Sequence, residues 1–163
     1  MRERPHIRGQ ALVEFAVALP ILIILVAGVL ELGRGYGYAV ATSDAARDGA
    51  RYVAGKTALT NGPGLTSMCN LIKADLAAVS TTVNCPVLVA KVPPFVSGTD
   101  FTNPTGGQVV VVVSCGTSVD CMGTTNQLFN SDIYVYVYYG FNDLNLFGGQ
   151  IIISGSSRAT TSW

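Results

Sequence analysis

At 163 residues the chain has room for one modest globular domain and one long helix. Apolar residues make up 49% of it and charged residues 12%, about half the charged share of an ordinary soluble domain. The net charge of zero provides no basic field for nucleic acid, so no nucleic-acid partner is expected.

The charges are unevenly spread. Arg2, Arg4, His6 and Arg8 crowd the N-terminus against Glu3 alone, and no charge follows from Phe15 to Leu30. The run from Ala11 to Leu30, about 20 residues, is interrupted only by Glu14 and Pro20. A helix of that length spans about 30 Å, the hydrocarbon thickness of a bilayer. Arginines before the run, with little charge just after it, predict a cytoplasmic N-terminus and a single crossing. Everything beyond about Leu32 then lies outside the cytoplasm, in contact with membrane lipid only through the helix. A secretory signal peptide fits poorly, because the nearest small-x-small site, Ala39-Val40-Ala41, lies too far beyond the apolar run. A buried core helix is disfavoured because the segment is apolar all round. A plain membrane anchor remains, and it leaves Glu14 unexplained.

An ionised carboxylate at the centre of a bilayer costs roughly 2.5–3.5 kcal/mol, and somewhat less near an interface. Such a residue is usually paired. Its surroundings, "RGQALVEF", resemble a class III (type IV pilin-like) prepilin signal, in which a membrane peptidase cuts after the glycine. The resemblance implies cleavage between Gly9 and Gln10, making Glu14 the fifth residue of the mature chain and Phe15 the next. It also implies that the Glu14 carboxylate meets the freed α-amine of a neighbouring subunit, which removes both charges from lipid and sets axial register.

The longer pattern "RGQALVEFAVALPILIILVAGVLELGR" with "ATSDAARDGARYVAG" resembles the TadE-like family, minor pseudopilins of the tight-adherence pilus system. The matching residues are Gly9, Glu14, Phe15, Pro20, Glu31, Gly33, Arg34, Ala46, Arg47, Gly49, Ala50 and Arg51, within the first third of the chain. The partners this implies are a prepilin peptidase, other pilin or pseudopilin subunits and an inner-membrane pilus assembly platform.

Beyond the membrane run, Ala45, Ala46, Ala50 and Val53 recur at helical spacing from Thr42 to Ala54. Asp44 with Arg47 and Asp48 with Arg51 make favourable i,i+3 pairs, Ser43 is a suitable N-cap and Gly55 a suitable terminator. Gly33, Gly35 and Gly37 predict a bend, an unwound stretch or close helix packing. After the loop "TALTNGPG", Leu65, Met68, Ile72, Leu76 and Val79 mark a short amphipathic helix. "VNCPVLVAKV", "GQVVVVVSCG", "SDIYVYVYYGF" and "GGQIIISGSSRATTSW" read as strands, separated by the loops "PPFVSGTDFTNPTGG" and "TSVDCMGTTNQ". The predicted class is α+β: a short helix on an antiparallel sheet of about four strands, carried on a long pilin-like helix. The expected divisions are a leader at 1–9, a transmembrane and extended helix at 10–55, and an extracytoplasmic domain at 56–163. Tyr134, Tyr136 and Tyr138 fall on one face of their strand, read here as covering the outer side of the sheet with rings buried and hydroxyls in water.

Cys69, Cys85, Cys115 and Cys121 all lie in the predicted outer domain, where disulfides form. Of three possible pairings, spacing favours Cys69–Cys85 and Cys115–Cys121. No C-x-x-C pair accompanies them and His6 is the only histidine, so neither a metal nor any other cofactor is expected. No nucleophile–histidine–acid arrangement survives removal of the leader, and the outer aspartates Asp75, Asp100, Asp120, Asp132 and Asp143 are scattered. The chain reads as a protease substrate rather than an enzyme. Its expected role is a minor subunit in a tight-adherence, type IV-like pilus. The alternative is an uncleaved single-pass envelope protein whose outer domain binds a partner or cell-wall polymer.

Overall fold

The structure, a computed structural model, describes residues 7–54, 63–115, 132–141 and 151–160. Helix α1 runs from Ile7 to Ala54, α2 from Pro63 to Asp75, and four strands follow: β1 Thr82–Leu88, β2 Gln108–Ser114, β3 Asp132–Phe141 and β4 Ile151–Thr160. The chain divides into two compact units, Met1–Arg34 and Gly35–Trp163.

In the first unit α1 is a bare apolar helix. Leu12, Val13, Phe15, Val17, Ile21, Ile24 and Leu25 are all exposed, so side chains on every face lack protein cover. Pro20 lies inside the helix, where its missing N–H leaves the Ala16 carbonyl without its usual donor. The helix continues through Gly33, Gly35 and Gly37 without a break. Nothing lies within 4 Å of where their β-carbons would stand, so among the described residues no part of this chain packs closely against them, and the expected unwound stretch is not found. Ser43 is likewise a mid-helix residue rather than a cap. The neighbouring Thr42 hydroxyl donates to the Ala39 carbonyl at 3.1 Å, the i−3 bond by which a helix interior absorbs such side chains.

In the second unit the sheet has the order β1-β2-β3-β4. It is mixed rather than wholly antiparallel: β2–β3 and β3–β4 are antiparallel, but β1 and β2 run parallel, with Thr82 opposite Gln108 and Leu88 opposite Val113. Parallel neighbours need a crossover of a dozen or more residues, and the long segment 89–107 provides it. Read as a loop by its Gly and Pro content, this segment is tied to the sheet at several points. The Ser80 hydroxyl donates to the Gly107 carbonyl at 2.6 Å, the Ser114 hydroxyl to the Lys91 carbonyl at 2.5 Å, and the Gly107 amide to the Gly140 carbonyl at 2.7 Å. A β-carbon on Gly140 would lie 2.5 Å from the Pro104 and Thr105 carbonyl oxygens, so only glycine lets the crossover settle there.

Two apolar layers result. On one face Val109, Val111 and Val113 of β2 with Ile133, Val135 and Val137 of β3 meet Ala45, Ala46, Ala50 and Val53 of α1 and Met68 and Ile72 of α2. On the other, Val110 and Val112 meet Phe95 and Phe101 from the crossover. Central strand β2 is covered on both sides, which is why it reads as an unbroken valine run instead of an alternation. Leu76, just past the end of α2, is fully buried and its amide donates to Ile72 at 3.0 Å, closing the helix under the core.

Candidate functional site: the N-terminal apolar segment

The residues singled out for processing and packing lie in the first turns of α1. Gly9 and Gln10 are helical and exposed, and nothing lies near Gly9 that a β-carbon would meet. Glu14 sits one turn beyond Gln10, and the Gln10 Nε2 donates to its Oε1 at 3.2 Å. Phe15 beside it is 63% exposed. Among the described residues no cation reaches Glu14: its one recorded partner is a neutral amide in the same helix. Around it lie Leu12, Val13 and Val17, all apolar and exposed. The segment therefore joins a long lipid-compatible surface to a carboxylate that no cation reaches among the described residues.

At the far end of the apolar stretch Glu31 is buried and accepts a hydrogen bond from Arg34 at 3.2 Å through one carboxylate oxygen. This i,i+3 pair gives Glu31 and Arg34, two of the residues that carry the family resemblance, a local role as an ion pair. Farther on, Arg47–Asp44 at 3.8 Å and Arg51–Asp48 at 3.6 Å form the two expected i,i+3 pairs.

In the second unit the notable polar groups serve the fold. The Asp100 carboxylate accepts from Lys91 Nζ at 2.8 Å and from the Val96 amide at 2.7 Å, fastening the crossover. Those two hydrogen bonds, with the lysine charge, hold its carboxyl below the usual range. Asp132 accepts from Arg158 at 2.5 Å and from the Thr160 hydroxyl at 2.9 Å, which lowers it likewise, and the Arg158 guanidinium lies 5.7 Å from the Tyr134 ring centre. Asp75 moves the other way: burial raises it, helped by the charge of Asp48. Asp120 and Asp143 lie outside the described residues. No group of three or more His, Cys, Asp or Glu side chains converges as metal ligands among the described residues.

Cys69 and Cys85 are joined, tying α2 to β1 with their α-carbons 5.7 Å apart. Cys115 is also disulfide-bonded, and Cys121 lies outside the described residues.

Sequence reasoning missed the cover on the tyrosine strip. Phe101 stacks on Tyr138 with ring centres 4.3 Å apart, and Phe95 meets Tyr136 edge-on at 5.0 Å. The crossover thus half-buries this ring, and burial pushes the Tyr138 hydroxyl up to about 12. The available signal was the pair of phenylalanines inside a Gly- and Pro-rich segment, which a solvated loop has no need of.

No curated protein and no solved structure matches the chain. The apolar length of α1 in the first unit is sufficient for a membrane crossing. The family comparison gives a match over that helix and its continuation: residues 9–51, from Gly9 through Glu14 to Arg51, fit the family model described as TadE-like protein.

Proposed function

We propose that the chain is a minor pilin-like subunit, a pseudopilin, of a tight-adherence type IV-like pilus. It is made with a cytoplasmic N-terminus and an extracytoplasmic domain, cut after Gly9 by a prepilin peptidase, and drawn by the membrane assembly platform into contact with other pilin or pseudopilin subunits. The observation that carries this reading is Glu14. Its carboxylate stands on an exposed apolar helix, and no cation of its own chain reaches it among the described residues. A lone charge in lipid is costly and is kept where a partner neutralises it. The α-amine of Gln10, freed by cleavage and carried by a second subunit, is such a partner. The TadE-like match over residues 9–51 supports the same reading.

Mass spectrometry of chain recovered from its native membrane tests the processing step. A mature N-terminus at Gln10 supports the proposal; an intact Met1 rejects it and leaves an uncleaved envelope protein. Changing Glu14→Ala tests the pairing, with membrane insertion expected to persist and incorporation into pili to be lost.

A further inference from the structure

We propose that Glu14 has a second task within its own chain: it protects the newly formed Gln10 terminus from closing into a pyroglutamyl ring. The inference rests on the processing reading above, since it concerns the residue that cleavage exposes.

An N-terminal glutamine is intrinsically unstable. Its α-amine attacks its own side-chain Cδ, a bond forms between the α-nitrogen and Cδ, and the bond from Cδ to Nε2 breaks. Nε2 leaves as ammonia, taking a proton from the attacking amine, and no other reactant is needed. The product is a neutral lactam. A mature chain closed in this way has no amine to offer the carboxylate of a neighbouring subunit, so ring closure would destroy the pairing on which assembly depends.

The geometry around Gln10 opposes that reaction. Its Nε2 is held by Glu14 Oε1 at 3.2 Å, one turn toward the C-terminal end of the helix. The α-nitrogen lies on the opposite, N-terminal side of the same residue. Ring closure requires the carboxamide to fold back onto that nitrogen, and the bond to Glu14 holds it away. A carboxamide held by Glu14 is less free to do so. One carboxylate oxygen suffices for this hold, and the second is left for the amine of another subunit. Spacing explains the economy: residues four apart on a helix are surface neighbours, so an acid at position 14 is the one that reaches the side chain at position 10.

The test uses full-length chain in dilute detergent, where subunits do not meet, with the leader replaced by a sequence-specific protease site whose cut leaves Gln10 first. Loss of one ammonia from the N-terminal peptide is followed by mass spectrometry. Wild type should close slowly. Glu14→Ala should close about three- to fivefold faster, the factor that one ordinary hydrogen bond supplies. Glu14→Gln keeps an acceptor oxygen without the charge, and should stay near wild type. Equal rates in all three chains, or an equally fast Glu14→Gln, would overturn the inference. Cell-derived chain provides the separate arm. A terminus upstream of Gln10 overturns the processing reading and this inference together, whereas a ring-closed terminus at Gln10 overturns the inference alone.

Discussion

Gly155 in β4 lies directly against the Thr42–Ser43 peptide of α1, so close that a β-carbon on the glycine would overlap helix backbone. Backbone does not yield as the end of a flexible side chain does. Within the Gly35–Trp163 unit this contact sets how deeply the helix seats on the sheet, alongside Tyr38, whose ring lies 4.9 Å from Tyr139 and 5.7 Å from Phe141. Gly155→Ala should therefore destabilise this unit by about 2 kcal/mol, in the range of overpacked cores. The melting temperature should fall by several degrees; an unchanged value would mean that the helix shifts freely against β4.

That contact also shows where sequence reading stops. The lipid-compatible helix was legible because nothing but a long uncharged run produces it, and its ion pairs at Asp44–Arg47 and Asp48–Arg51 were legible because they depend only on helical spacing. The strands were legible from valine runs and the Ile133–Tyr139 alternation. The requirement at Gly155 was not, since it comes from a helix more than a hundred residues away in sequence crossing that strand. The parallel pairing of β1 with β2 was hidden for a similar reason. It depends on the path of segment 89–107, and that path is decided by where Phe95 and Phe101 find apolar cover. Ser43 misled because capping chemistry is identical wherever serine occurs; only the continuing helix rules it out.

The Cys69–Cys85 link closes a loop with a sequence separation of 16 between α2 and β1. Constraining an unfolded loop of that size is worth about 3 kcal/mol in the chain-entropy account. A double Cys69→Ala, Cys85→Ala chain should lose stability of that order in denaturant titration, while the second disulfide, at Cys115, stays intact. The double variant isolates this bridge, which a reductant acting on both would not. A stability equal to wild type would show that α2 is held by its buried Met68 and Ile72 alone.

Acid should weaken the Gly35–Trp163 unit in a defined window. The Asp132 carboxyl is lowered mainly by its hydrogen bond from Arg158, and Asp100 by that from Lys91, each from an ordinary value of 3.8. A depressed folded value means stability that is present above 3.8 and lost as pH falls through the folded value. Asp75, raised by burial and by Asp48, acts in the opposite sense and partly offsets the loss. Asp132→Asn should flatten the acid limb of a plot of melting temperature against pH, and an unaltered limb would remove Asp132 from the account.

The stacked pair Phe101–Tyr138 controls the alkaline side. Burial first, then the nearby Tyr136 and Asp100, carry the Tyr138 hydroxyl from 10.0 up to about 12. A raised folded value contributes stability in full below 10, and that stability disappears as pH rises from there toward 12. Tyr138→Phe should remove this limb while leaving the packing in place. Phe101→Ala, by contrast, uncovers the ring and deletes a buried side chain, at a cost of about 3 kcal/mol at neutral pH. Near-equal alkaline limbs in wild type and Tyr138→Phe would show that the hydroxyl is already wet.

Gly33, Gly35 and Gly37 pose the remaining question, because glycine in a helix interior is about 1 kcal/mol less favourable than alanine. A β-carbon at any of the three meets nothing within 4 Å, and α1 runs through all of them. Replacing them singly and together with alanine should therefore raise helicity in micelles and leave the melting temperature of the sheet-bearing unit unchanged or higher. The informative comparison is with incorporation into pili. If flexibility during extraction from the membrane is what they provide, incorporation should fall with the number replaced. If one glycine is a contact point for another subunit, a single substitution should remove most of it. A lowered melting temperature at any of the three would instead place a neighbouring surface in the space beside that glycine.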